Sequence, residues 1–193
     1  MINKKDFNDI REKLARYDDK REELIKKARD VLKLSKQVIY STHRKEIKEA
    51  AKLAASVKKE KAAMDKIASS DKKMFYEGSY SDACQEFVEA MAYYGFVTNG
   101  VIPTLADLKV GEGDYLMGIC DLTGELTRKA VMVANKDAKE VEKIKDLVEE
   151  IFGEFLKFDL RNGNLRKKSD SIKWNLKKLE EVMYDTEKSR NFS

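Results

Sequence analysis

Apolar residues recur at spacings of three and four through most of the chain, which is the period of an α-helix that buries one face. The first such segment runs over about residues 4–42, longer than most globular helices, and a second over about 45–68. No segment alternates strictly enough to indicate a β-strand. The pattern therefore predicts an all-α protein whose first helix is a long rod.

Helix breakers and capping residues divide the rest of the chain into shorter helices. Pro103 follows an Asn-Gly pair that ends one helix, Thr104 caps a short one, and Gly111 and Gly113 suggest a turn before the next. The expected bounds are about 81–97, 104–108, 114–134, 137–158 and 168–187, with Asp137 as the cap of the helix over 137–158. We expect one domain over residues 1–193, with about seven helices in an antiparallel helical bundle or superhelix.

The composition narrows the classes of protein. No apolar run approaches the roughly 18 residues of a membrane span, and residues 1–10 lack a signal core, so we expect a cytoplasmic protein without a membrane partner. Cys84 and Cys120 form no metal-binding pair and read as reduced core residues. The single histidine, His43, excludes sites that need several imidazoles and reads as a polar core or wall residue. Trp174 is expected in the core or an interface.

Charge is distributed unevenly along the chain, although its net value is only +4. Residues 1–73 hold 22 Lys and Arg against 13 Asp and Glu, residues 74–160 hold 8 against 17, and residues 161–193 hold 9 against 5. A basic–acidic–basic order suits a protein that binds phosphates with its ends and a cation with its middle. Solvated charge on helix surfaces is the plainer alternative.

Two pairs of carboxylates lie on the polar stripes of two helices that are otherwise largely apolar. Glu86 and Glu89 are i,i+3 neighbours on the third long helix, and Asp121 and Glu125 are i,i+4 neighbours on the fourth. The connection between these helices is short, which favours antiparallel packing with the two acidic stripes face to face. No histidine lies near either pair in the sequence.

Four facing carboxylates repel one another unless protons or a cation neutralise them. Oxygen ligands without imidazole or thiolate select a hard ion, Mg²⁺ or Mn²⁺, and either one shared ion or two would fit. Such an ion polarises a phosphoryl oxygen and activates a bound water as a nucleophile, which is what a nuclease requires. Chance pairing on acidic helices is one alternative. A di-iron bundle is another, but it needs Glu-x-x-His pairs, which are missing.

Basic residues form one stripe near the end of the first helix, with Tyr40 among them, and Arg128 follows Glu125 on the acidic helix. Lys and Arg supply sequence-independent contacts to phosphates, and Tyr40 or Tyr93 could stack on bases. For Arg29 and Lys33, the plainer explanation that they lie on a solvated helix face is at least as good. The candidate nucleic-acid-binding residues are Lys36, Arg44, Arg128, Arg29 and Lys33.

Four segments carry a resemblance to a known family: SKQVIYSTHR, CQEFVEA, GDYLMGICDLTGELTRKA and NLRKKSDSIKWNLKKLEEVMYD. The second and third resemble the acidic helices of TRAX, the first resembles the end of the family's first helix, and the last is closest to translin. The chain is therefore identified as a member of the translin/TRAX family, of an archaeal, C3PO-like type. The short connection between the acidic helices departs from eukaryotic TRAX.

The resemblance implies a seven-helix protomer that assembles into a hollow shell around single-stranded nucleic acid. TRAX subunits supply metal-dependent RNA cleavage, and their catalytic carboxylates fall on Glu86, Glu89, Asp121 and Glu125. We therefore expect a Mg²⁺-dependent endoribonuclease that cleaves single-stranded RNA inside a homo-octamer, with single-stranded DNA as a further candidate ligand. The translin-like tail implies one chain that makes both shell and active site. The alternative is a non-catalytic, translin-like oligomer that binds single-stranded RNA or DNA.

Overall fold

Helices account for all the regular structure in the part of the chain that the computed structural model describes, residues 2–191. They are α1 (Lys4–His43), α2 (Ile47–Ala68), α3 (Gly78–Asn99), α4 (Leu105–Leu108), α5 (Glu112–Val133), α6 (Ala138–Phe155) and α7 (Asn164–Asn191), with a 3₁₀ helix at Lys72–Tyr76. The predicted all-α class and the predicted number of helices are confirmed.

Capping residues explain several of these boundaries. Thr104 and Asp107 form a capping box at α4, each side chain accepting a hydrogen bond from the other's backbone N–H. The Asp137 carboxylate accepts a hydrogen bond from the backbone of the third residue of α6, as expected for an N-cap. Gly100, with a φ of 71°, ends α3 in the left-handed conformation that glycine adopts without strain.

Other boundaries differ from the predictions. Gly113 lies inside the first turn of α5, and only Gly111 precedes the helix, so the predicted two-glycine turn is wrong. Helix α6 ends at Phe155 rather than near residue 158, because the backbone tightens there into i,i+3 hydrogen bonds. The 3₁₀ helix, capped by Asp71, was not predicted, since a five-residue element carries too little periodicity to be recognised.

Helix α3 lies at the centre of the molecule and packs against α1, α2 and α5. Its side chains are buried around most of its circumference, including Tyr80, Cys84, Phe87, Val88, Met91, Tyr93 and Phe96. Cys84 and Cys120 are both unpaired and fully buried, as predicted for reduced core residues. Residues that project from α3 between its neighbours are therefore largely withdrawn from solvent.

The acidic helices α3 and α5 run parallel, so the predicted antiparallel packing is wrong. Ser81, near the start of α3, donates a hydrogen bond of 2.5 Å to Asp114, near the start of α5. One turn further along both helices, Gly118 packs against Gln85 and Val88. The connection between them includes α4, and it is long enough to return along the roughly 33 Å of α3.

The start of α1 extends away from the core as far as Tyr17, which packs against the core and donates a hydrogen bond to Glu77. Residues 4–20, which we call the N-terminal arm, are almost entirely exposed, and Leu24 is the first buried position. Phe7, Ile10 and Leu14 form an apolar stripe on the arm and are 55%, 54% and 59% exposed. Trp174 on α7 is 68% exposed, so it is not in the core of the protomer. The interface position stays a prediction. Within residues 2–191, no helix is both long and apolar enough to cross a membrane.

Candidate metal and nucleic-acid site

The four predicted carboxylates come together between α3 and α5, where they form what we call the acidic patch: Glu86, Glu89, Asp121 and Glu125. Glu89 is 9% exposed and the other three are partly buried. Burial, together with the charges of the other three carboxylates, raises the pKa of Glu89 to about 8. The acidic stripes thus face one another, as the sequence predicted, although the helices that carry them are parallel.

Burial also raises the pKa of Glu86 and of Asp121, but each has a lysine beside it that opposes the shift. The ammonium of Lys36, on α1, lies 3.7 Å from Glu86 Oε1. The ammonium of Lys168, on α7, contacts Asp121 Oδ2 and donates a second hydrogen bond of 3.2 Å to Gln85 Oε1. Glu86 and Asp121 therefore each have a lysine partner supplied by another helix of the protein.

Glu125 is held by a buried histidine. The His43 Nε2 and Glu125 Oε2 atoms are 2.5 Å apart, and the Tyr93 hydroxyl lies 2.9 Å from His43 Nδ1. Because a carboxylate only accepts hydrogen bonds, His43 Nε2–H donates to Glu125, while Nδ1 and the Tyr93 hydroxyl form a second hydrogen bond on the other side of the ring. This hydrogen bond lowers the pKa of Glu125, and Arg128, at 3.5 Å, acts in the same direction. Glu125 is therefore ionised and fixed in orientation.

The sequence did not reveal that His43 and Lys168 belong to the acidic patch. His43 is a buried polar residue, as predicted, and the fold brings it against Glu125 although the two residues are far apart in the sequence. Both residues come from helices that are remote from α5 in sequence, so neither spacing nor periodicity connects them to it. The one available signal was the solitary histidine itself, followed by arginine at the end of α1.

The four carboxylates do not point toward a common centre at which a metal ion could bind. Across the described residues, no three His, Cys, Asp or Glu side chains are arranged to hold a metal ion. Glu86 and Asp121 instead turn toward lysines of the protein, and Glu125 turns toward His43. The donor set itself fits a hard divalent ion, since it offers carboxylate oxygens in a half-buried, mutually repelling group.

The predicted nucleic-acid-binding residues divide into two groups. A cleft of about 300 Å³ next to the acidic patch is lined by Lys36, Ile39, Tyr40, Glu86, Glu89, Glu125 and Arg128. Arg44 lies at its edge, with its guanidinium 5.5 Å from the centre of the Tyr40 ring. Arg29 and Lys33 are exposed earlier on α1 and do not line the cleft. Tyr93 is fully buried, so its predicted role in base stacking is wrong, whereas Tyr40 is 56% exposed.

Residues 19–187 match the sequence profile described as Translin family, and this range contains the acidic patch together with His43 and Lys168. The chain belongs to the translin family. The family resemblance inferred from the four sequence segments is thereby confirmed.

Several relatives of this translin-family chain are known. It is 30% identical over 161 residues to the uncharacterized protein MJ0175 of Methanocaldococcus jannaschii, covering 81% of this chain and 72% of that one. It is 40% identical over 73 residues to the translin of Gallus gallus, covering 37% and 32%. The translin-associated protein X homolog of Schizosaccharomyces pombe is 26% identical over 145 residues, covering 68% and 63%. The chain thus matches about a third of the translin's length.

Solved structures share the fold over nearly the whole translin-family chain. AfC3PO superposes with a TM-score of 0.87 at 25% identity, covering 95% of this chain and 98% of that one. Apo-NeC3PO superposes with a TM-score of 0.86 at 26% identity, covering 96% and 98%. AfC3PO in a duplex RNA complex gives 0.88 at 24% identity, covering 97% and 99%. The arrangement of the seven helices is therefore that of the C3PO structures.

Proposed function

We propose that this chain is a metal-dependent endoribonuclease subunit that cleaves single-stranded RNA inside a hollow homo-oligomeric shell. The observation that carries the proposal is the acidic patch, four carboxylates from two parallel helices in one electrostatic environment. A half-buried group of this kind needs positive charge to offset it, which a divalent cation can supply in place of the lysines that contact it in this structure. The resemblance of both acidic helices to TRAX, whose subunits supply RNA cleavage, supports the same activity.

Glu86, Glu89, Asp121 and Glu125 would hold the cation, and their oxygen-only chemistry favours Mg²⁺ or Mn²⁺. Both nitrogens of His43 are engaged by Glu125 and by a tyrosine hydroxyl, so the imidazole serves to orient a carboxylate. When bound, such an ion would polarise a phosphoryl oxygen and lower the pKa of a water. Before it binds, Glu89 holds a proton at its carboxyl group near neutral pH.

The cleft beside the acidic patch supplies contacts for the nucleic acid. Lys36 and Arg128 place positive charge at its rim, where phosphates of a bound strand would bring the backbone next to the carboxylates. The exposed ring of Tyr40 offers a stacking surface for an unpaired base, which favours a single strand over a duplex. Arg44, Arg29 and Lys33 extend this basic track along α1. Single-stranded DNA could use the same contacts.

The homo-oligomeric part of the proposal, with an octamer as the expected shell, is supported by the N-terminal arm. Its stripe of Phe7, Ile10 and Leu14 leaves three large apolar side chains in solvent within a single protomer. A second copy of the chain would cover them. The two buried, unpaired cysteines, Cys84 and Cys120, agree with a reducing compartment, so a cytoplasmic location completes the proposal.

Cleavage of a single-stranded RNA oligonucleotide tests the proposal. We expect Mg²⁺-dependent cleavage that EDTA stops and that excess Mg²⁺ or Mn²⁺ restores. Asp121→Asn and Glu125→Gln each remove one charged ligand and should lower the cleavage rate by about 100-fold or more. Asp82→Asn, an exposed change on α3, should leave the rate unchanged and serves as the matched control. Wild-type cleavage that persists in EDTA would contradict the proposed chemistry.

A non-catalytic, translin-like shell that binds single-stranded RNA or DNA is the second candidate function. Two observations favour it: three of the four carboxylates already have partners within the protein, and translin matches 73 residues of the chain at 40% identity. In that case, filter binding would show retention of both nucleic acids, unchanged by Asp121→Asn, and Mg²⁺ would produce no cleavage products.

A further inference from the structure

Lys168 occupies a position that the sequence did not connect to the acidic patch. It lies in the second turn of α7, a helix that carries none of the four carboxylates, and its side chain crosses to α5 and α3. Its Nζ contacts Asp121 Oδ2 and donates a hydrogen bond of 3.2 Å to Gln85 Oε1. Gln85 in turn donates a hydrogen bond of 3.0 Å to Ser81 Oγ, one turn earlier on α3, which holds the amide in place for the ammonium.

The charge of Lys168 acts on more of the acidic patch than the carboxylate it touches. Burial raises the pKa of Asp121, Glu86 and Glu89, and the Lys168 ammonium opposes that rise at all three, by contact at Asp121 and through space at the two glutamates. Its side chain is only 27% exposed, so solvent screens this field less than it would at the surface. Lys168 is thus the cation that offsets three carboxylates at once when no metal ion is present.

An ammonium and a divalent ion cannot share Asp121 Oδ2 without repulsion. Lys36 differs in this respect, because it lies 3.7 Å from Glu86 and is 67% exposed, so it can withdraw into water at little cost. Lys168 is the shorter and more buried contact. We propose that Lys168 is a metal-affinity-determining residue, a built-in counter-cation that competes with the divalent ion for Asp121 and must move aside when that ion binds.

This inference rests on the metal site proposed above, and it gives two substitutions opposite effects. Lys168→Gln removes the competing charge, so the acidic patch should bind Mn²⁺ three- to tenfold more tightly. Lys168→Arg keeps a permanent charge that can hold a carboxylate through two parallel hydrogen bonds, so Mn²⁺ binding should weaken by a similar factor. A residue with a purely structural role would not shift the affinity in opposite directions in two folded variants.

Titration of the metal-free, full-length protein with Mn²⁺, followed by the electron paramagnetic resonance signal of free Mn²⁺, measures these affinities without reference to catalysis. Lys167→Gln is the matched control, because it removes the same charge from the neighbouring exposed position and should change the affinity less than twofold. Thermal unfolding adds a second readout. Without metal, Lys168→Gln should unfold at a lower temperature than the wild type, and Mn²⁺ should raise its unfolding temperature more than it raises that of the wild type.

The outcomes separate this inference from the proposed function. If the wild type binds Mn²⁺ and Asp121→Asn abolishes the binding, but Lys168→Gln binds no more tightly, the counter-cation proposal is wrong and the metal site stands. If neither the wild type nor Lys168→Gln binds Mn²⁺, both proposals fall. If Lys168→Gln does not fold, Lys168→Arg still decides, because an affinity equal to or above that of the wild type would overturn the proposal.

Discussion

At the scale of single residues, the proton on Glu89 makes the stability of the fold depend on pH. Its pKa is about 8 in the folded chain, against about 4.5 for an ordinary glutamate. The folded state therefore keeps a proton that the unfolded chain loses, and this contribution is fully present below about pH 4.5 and lost as pH rises through about 8. We expect the free energy of unfolding to fall by on the order of a few kcal/mol across that window.

Urea unfolding of the metal-free protein at a series of pH values from 5 to 9 measures this dependence. Glu89→Gln keeps the shape of the side chain and cannot ionise, so most of the decrease in stability should disappear. Asp82→Asn, an exposed carboxyl on the same helix, should retain the wild-type decrease. Equal pH profiles for Glu89→Gln and the wild type would show that Glu89 is not the group responsible.

At the scale of helices, Gly118 sets how closely α5 approaches α3. A Cβ added there would lie 2.6 Å from Val88 Cβ and 2.7 Å from the backbone oxygen of Gln85, contacts too short for real atoms. Because one of them is backbone, the helices themselves would have to separate. We expect Gly118→Ala to lower the free energy of unfolding by about 1–3 kcal/mol, and to reduce the proposed RNA cleavage by moving the acidic stripes apart.

Gly113→Ala provides the comparison within the same helix. Nothing lies within 4 Å of a Cβ at this position, so alanine should raise stability by up to about 1 kcal/mol through its better helix propensity. Differential scanning calorimetry of the two variants would measure both effects. The same sign of change for both substitutions would contradict the close-approach role of Gly118.

The sequence predicted the helices themselves better than the way they pack. Periodicity and caps such as Asp137 placed six of the seven main helices to within a few residues, and they put Glu86 and Asp121 on polar stripes. Helix direction was not predictable in this way, because a connection of about 12 residues is compatible with either a tight reversal or a return along α3. Contacts of His43 and Lys168 depend on that packing, so no local pattern could reveal them.

At the scale of the whole molecule, the N-terminal arm is the surface that a single protomer leaves uncovered. Replacing Phe7, Ile10 and Leu14 together by serine should leave the fold intact, since none of the three is buried in the protomer. If a second copy covers the stripe, the loss of three apolar contacts should shift the protein to a smaller assembly. Size-exclusion chromatography with light scattering would measure the mass of the particle.

The opposite face of the arm supplies the control for this experiment. Asp9, Glu12 and Arg16 are exposed there, and replacing these three by serine changes the arm to a comparable extent without touching the apolar stripe. That variant should keep the wild-type particle mass. An unchanged mass for the Phe7, Ile10 and Leu14 variant would mean that the arm does not hold the protomers together.

Helix α1 connects the N-terminal arm directly to the acidic patch. Its 40 residues make a rod about 60 Å long, with the arm at one end and both Lys36 and His43 near the other. Tilting such a rod by one degree about its arm displaces the far end by roughly 1 Å, a misplacement large enough to slow a reaction 100-fold. A second copy that grips the arm, as proposed, would therefore shift the imidazole behind Glu125, and assembly of the shell would tune each of the proposed cleavage sites.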